Sequence, residues 1–114
     1  MPSPKRGEIW LVRFPFTDLT TTKRRPALVV ASHGEDIIVV GIFSRIPPLL
    51  RPTWVLIDEQ DSGFSQSGLK KSSIIKAEKL AVIHESVFDR RLGTLPSQLA
   101  VRTAAALKEA LLIS

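Results

Sequence analysis

The chain has no cysteine and no tyrosine, one methionine and only two histidines in 114 residues. Without cysteine, disulfides, thiolate metal sites and thiol nucleophiles are excluded, which suits a reducing cytoplasm. His33 and His84 stand far apart without ligand spacing, so no zinc site is expected and each reads as a loop or surface residue. Long hydrophobic runs are also lacking. Stretches such as IIVVGIF fall well short of a membrane span, and the N-terminal MPSPKRGE has no apolar signal region. A cytoplasmic location with no membrane partner is expected. Nor is there a phosphate loop, a dinucleotide fingerprint, a nucleophile elbow or a zincin motif, and no cofactor or metal is expected.

What is present describes a folded, basic protein. A hydrophobic content of 44% and a length of 114 residues suit one domain, residues 1–114, with a real core. The formal net charge is +5 and the pI is near 10.1. Such a field draws in phosphate backbones, acidic protein tails or anionic lipid surfaces, although it also serves simple solubility. The charge is sharply placed at KRRPALVV, residues 23–30, where three cations meet a proline at the mouth of an apolar run. Desolvating a cation there is costly, so the placement calls for a reason.

EIWLVRF reads as a first strand stopped by Pro15, and PFTDLTTTKRRP as a long loop suited to function. Arg25, standing before Pro26, is pushed towards extended geometry, so a second strand can begin there. ALVVAS and IIVVGIFS form strands joined by a turn at HGED, with Gly41 marking a bulge or a close backbone approach. RIPPLLRP, with three prolines, cannot be regular. TWVLI is strand-like, DEQDSGFSQSGLKK is a polar excursion, and SSIIKAEKLAVI is one bent strand or two short ones. Leu99, Thr103, Ala106, Leu107, Ala110 and Leu111 share one face of a helix over about Ser97 to Ile113. The pattern predicts a mainly β small barrel with a C-terminal helix, and fits an open α+β sheet less well.

The residue types available for chemistry are Arg, Lys, Ser, Thr, Glu and Asp. They suit cleavage of RNA by its own 2′-hydroxyl, because the nucleophile is already in the substrate. The protein then needs a base, cations facing the phosphorane and a proton donor for the leaving 5′-oxygen.

KRGEIWLVRFPFTD (5–18), KRRPALVVAS (23–32), IIVVGIFSR (37–45) and SSIIKAEKLAVIHESVFDRRLGTL (72–95) together resemble the PemK/MazF toxins of type II toxin-antitoxin systems. The resemblance covers nearly the whole chain. It implies an SH3-like small barrel with a C-terminal α-helix, a homodimer, and a metal-independent endoribonuclease cutting single-stranded RNA. It also implies a cognate antitoxin with an acidic disordered segment. The family's arginine before the second-strand proline is Arg25 here, best suited to stabilising phosphorane charge because so high a pKa makes a poor acid; its bland alternative is a structural cation that caps the loop or pairs with a carboxylate such as Asp18. Where the family usually has threonine at the end of the third strand, this chain has Phe43, followed by Ser44. Ser44 takes the threonine's place if a bulge at Gly41 shifts the strand's phase. A donor and base pair two residues apart corresponds to Lys76 and Glu78, which the spacing puts on one strand face. Their bland alternative is a surface ion pair.

Lys23, Arg24, Arg45, Lys70 and Lys71 are expected RNA-backbone contacts, joined by Arg51, Arg90 and Arg91, although each is also an ordinary solvated charge. Phe16 and Phe43, near loops, are expected to stack bases, whereas mid-strand Trp10 and Trp54 suit the core better. Two other readings stand beside the ribonuclease. One is a non-catalytic RNA- or protein-binding barrel, and the other a CcdB-like gyrase poison, which the ending ALLIS disfavours for want of a tryptophan-containing tail.

Overall fold

The computed structural model describes residues 3–13 and 23–114. Six strands form one antiparallel sheet: β1 (Glu8–Val12), β2 (Arg25–His33), β3 (Asp36–Phe43), β4 (Trp54–Ile57), β5 (Ser73–His84) and β6 (Phe88–Thr94). Their order across the sheet is β4-β5-β3-β2-β1-β6, and helix α1 (Ala100–Leu111) follows. β2 and β3 are joined at His33↔Asp36 through the HGED turn, where Gly34 takes a left-handed φ of +64°. Glycine supplies that conformation without a Cβ penalty.

The apolar runs of β2 and β3 are continuous because both faces of these central strands are buried. Leu28, Val40 and Ile42 meet Val55, Ile75 and the α1-side residues Leu99 and Ala106 in one core. Val29, Ile37 and Val39 join Trp10, Val12 and Phe88 in a second. Trp10 is 6% exposed and meets Phe88 edge to face, so it is a core residue as expected.

β5 is one strand with a bend. Its register against β3 jumps from Val40↔Leu80 to Gly41↔Lys76, so Ala77, Glu78 and Lys79 are absorbed within one step of β3. The Ala77 N–H turns instead to the Thr53 carbonyl at 2.9 Å. The bulge expected in β3 at Gly41 is therefore corrected: the extra residues lie in β5. β3 keeps its alternation, with Val40 and Ile42 on the helix side and its pairing to β2 regular from Val39 to Gly41.

β6 was not expected from the sequence, where FDRRLGT reads as polar. Among the described strands it is an edge strand bonded to β1, with Arg90 and Arg91 exposed, and an edge tolerates such charge. β4 forms the other edge. Residues after β4 cross towards β6 and seat on it so closely that a Cβ at Gly68 would stand 1.9 Å from the Leu92 carbonyl oxygen. One at Gly93 would stand 2.2 Å from the Gln66 carbonyl oxygen. Side chains from all six strands enter or border the helix-side core, so the sheet curls into the expected small barrel.

A 3-10 turn at Ser97–Leu99 leads into α1. Leu99, Thr103 and Ala106 are buried as the helical spacing predicts, but Leu111 is 51% exposed and lies off the packed face. Thr103 Oγ1 donates to the Leu99 carbonyl at 2.8 Å, which satisfies its buried hydroxyl. No helix among the described residues is long and apolar enough to cross a membrane.

Candidate nucleic-acid interface

Arg25 opens β2, paired with Val12 of β1, and is half-buried. Its Nε is buried and has no hydrogen-bond partner among the described residues. Leaving such a donor unsatisfied costs about 1–3 kcal/mol. Arg25 lines a groove of about 480 Å³ together with Arg24, Lys70, Lys71, Arg90 and Arg91. Leu11, Ile42, Leu69 and Leu92 supply apolar surface between these cations, and Phe43 and Ser44 stand at the end of β3. No carboxylate is among the described lining residues.

Three elements bring the cations together. β2 carries Arg24 and Arg25 to its mouth, β6 carries Arg90 and Arg91, and the Gly68 and Gly93 contacts fix the approach to Lys70 and Lys71. Two acids outside the described lining pair with groove cations. Arg24 pairs with Asp89 at 3.3 Å, and Arg91 with Glu8 at 3.2 Å. Glu8 also accepts from the Lys5 N–H at 2.8 Å and from Trp10 Nε1 at 3.0 Å. Burial works against its charge, but these bonds and the Arg91 guanidinium outweigh it and hold the carboxyl below its ordinary value.

A second cluster adjoins the groove through Phe43. Lys76 Nζ lies 4.8 Å from the Phe43 ring centre and 4.7 Å from that of Trp54. Arg51 lies 5.1 Å from the Trp54 ring centre. Glu78 accepts from Trp54 Nε1 at 2.7 Å and from Arg51 Nη1 at 3.3 Å. Burial again raises the Glu78 carboxyl, yet hydrogen bonds from Trp54, Thr53 and its own backbone, with the Arg51 charge, bring the net shift downwards. Glu78 is thus ionised at neutral pH. Among the described residues no group of three or more His, Cys, Asp or Glu side chains comes together as a metal site.

A family model described as the PemK-like, MazF-like toxin of type II toxin-antitoxin systems matches residues 5–111. The chain belongs to this toxin family. No curated protein matches it in sequence. Among solved structures it resembles an endoribonuclease in complex with its cognate antitoxin from a mycobacterial species, at 20% identity over 98% of each chain and a TM-score of 0.75. It also resembles the Mycobacterium tuberculosis toxin MazF-mt6, at 20% identity over 94% of this chain and 98% of that one, TM-score 0.74. MazE-MazF from Deinococcus radiodurans aligns over all of both chains at 19% identity and a TM-score of 0.72. At such identities the likeness is one of fold.

Within this PemK/MazF chain, the expected site residues divide. Arg25, Ser44, Phe43, Arg24, Lys70 and Lys71 line the groove. Lys76 and Glu78 do not line it but meet at Trp54, one on the ring and one on its indole nitrogen. The carboxylate's ion pair is with Arg51 rather than Lys76. Without a phase shift in β3, Phe43 keeps the face of Gly41, and Ser44 reaches the groove because the chain leaves the strand there. Lys23 and Arg45 are exposed beside the groove residues in sequence but do not line it, and Phe16 and Asp18 lie outside the described residues. The expectation that Trp54 belongs to the core is corrected: it is half-buried, with its ring against two cations. Its partnership with Lys76 follows from the Trp54↔Lys76 pairing of β4 and β5, a register that sequence spacing does not carry.

Proposed function

We propose that this toxin is a metal-independent, sequence-selective endoribonuclease acting on single-stranded RNA. The observation that carries the reading is the half-buried Arg25, whose buried Nε has no partner among the described residues, in a groove whose described lining holds six cations and no carboxylate. In the proposed reaction Glu78 takes the proton of a 2′-hydroxyl, whose oxygen bonds to phosphorus. The phosphorane charge is met by Arg25, with Ser44 beside it, and the bond to the 5′-oxygen breaks as Lys76 supplies a proton. The products are a 2′,3′-cyclic phosphate and a 5′-hydroxyl. Two features support these roles: the ionised Glu78 carboxylate can accept a proton, and Phe43 lies both in the groove and against Lys76.

The same cationic surface suits an antitoxin with an acidic disordered segment, and the mycobacterial relative is an endoribonuclease in complex with its cognate antitoxin. Exposed Ile46, Leu49 and Leu50 support a homodimer that covers them.

The test is cleavage of a long single-stranded RNA by purified protein in excess EDTA, with the product ends identified. Arg25→Ala and Glu78→Gln should each cut about a hundred- to a thousand-fold more slowly while remaining folded. Either variant cutting at the wild-type rate removes that residue from the mechanism. RNA binding without cleavage by the wild type would favour the non-catalytic barrel, with Phe43 in place of the usual threonine as its cause.

A further inference from the structure

Resting on the ribonuclease reading, we infer that the Phe43 and Trp54 rings form a nucleobase-stacking site beside the phosphate groove, which Lys76 occupies until RNA arrives. The starting point is the position of Trp54. It opens β4 directly opposite Lys76 of β5, and the 2.7 Å bond from its Nε1 to Glu78 fixes the ring in its plane. A tryptophan placed only for the core has no need of two cations at its ring. Here Arg51 and Lys76 lie 5.1 and 4.7 Å from the ring centre, and the Lys76 ammonium is shared with Phe43.

Magnitudes decide what happens when a single strand enters. A cation at a ring is held by about 0.5–1 kcal/mol when exposed and about 2 kcal/mol when desolvated, and Lys76 meets two half-buried rings. A base stacked on an aromatic side chain contributes about 1–3 kcal/mol. The two are of similar size, and the ammonium gains a charged phosphate partner on leaving, so the base displaces it from the rings. Lys76 sits on a flexible four-carbon stem and is free to swing to a phosphate oxygen, its proposed partner as proton donor. Phe43 lines the groove as well, so the stacked base belongs to a nucleotide next to the phosphate that Arg25 holds. Base recognition and delivery of the Lys76 ammonium become one event. The substitution of phenylalanine for the usual threonine then adds a stacking surface at the point where a hydroxyl is lost.

The chain has only two tryptophans, and Trp10 is buried, so a Trp10→Phe variant leaves Trp54 as the sole indole reporter. This variant is titrated with single-stranded RNA made uncleavable by 2′-O-methylation, and cleavage of ordinary RNA is followed in parallel. Expected are strong quenching of Trp54 on binding, a roughly tenfold or greater loss of affinity in Trp54→Leu, and recovery of most of that affinity, though not of cleavage, in Trp54→Phe, which keeps a ring but loses the bond to Glu78. The salt dependence of binding should be the same in Trp54→Leu as in wild type, because the groove cations are untouched and Lys76, no longer held on the Trp54 ring, still reaches its phosphate. A merely structural tryptophan would not separate affinity from salt slope in this way. RNA binding and cleavage with no quenching, and with unchanged affinity in Trp54→Leu, would overturn the stacking site and leave the ribonuclease standing. Absence of any RNA binding by the wild type would overturn both.

Discussion

At the scale of single residues, a carboxylate outside the described lining of the groove holds one of its cations. Glu8 is 15% exposed at its side chain and holds together Lys5, Trp10 and Arg91, that is, the approach to β1, the second core and β6. Its lowered pKa means that folding favours the charged form. The associated stability is fully present above the ordinary value of 4.5 and is lost as pH falls through the lower value of the folded state. Glu8→Gln should cost about 2 kcal/mol at neutral pH, since hydrogen bonds to a charged group are weakened and one partner is a buried indole N–H. Urea unfolding at pH 7 and again well below pH 4.5 measures this. The gap between variant and wild type should narrow in acid; an equal gap at both pH values would show that the Glu8 charge is not what stabilises the fold. Arg25 is the counterpart on the groove side, where a buried donor meets no partner among the described residues.

Among the elements, the join between β6 and the residues after β4 decides whether the groove exists at all. Gly68 has φ +73°, and a Cβ there would stand 1.9 Å from the Leu92 carbonyl oxygen. Gly68→Ala must therefore part the backbone from β6 as well as hold a left-handed conformation, at a combined cost of about 3 kcal/mol or more. Thermal unfolding would register this, and a variant as stable as wild type would mean that the seat is slack. Such a contact is invisible in the sequence, because Gly68 stands in a stretch that reads only as a polar excursion. The hairpin of β2 and β3, the strand at TWVLI and the buried helix face from Leu99 to Ala110 were legible, since each shows in local periodicity and turn chemistry. β6 was not, because an edge strand needs no apolar alternation and Arg90 and Arg91 mask it. The three residues absorbed in β5 at Ala77–Lys79 are set by pairing to β3, and pairing is a long-range property. The site was legible in part for the same reason. Arg25 announces itself beside Pro26, while the meeting of Phe43, Lys76 and Trp54 depends on register across three strands.

Over the whole molecule, the excess of five positive charges is not spread evenly, since six cations line one groove while Asp89 and Glu8 pair with two of them from outside its lining. Binding of single-stranded RNA should then be dominated by counterion release. With Arg24 and Arg91 partly neutralised by their partners, between four and six phosphates are engaged, which corresponds to a slope of log K against log salt of about −3 to −4. Fluorescence or filter binding with 2′-O-methylated RNA over a range of salt concentrations gives this number directly. Lys71→Ala should reduce the slope by about 0.7 and weaken binding to all sequences alike, whereas loss of a base-stacking side chain should shift affinity and leave the slope in place. A wild-type slope near zero would mean that the groove does not hold the RNA backbone. The charge of the chain would then have to serve an acidic protein segment alone.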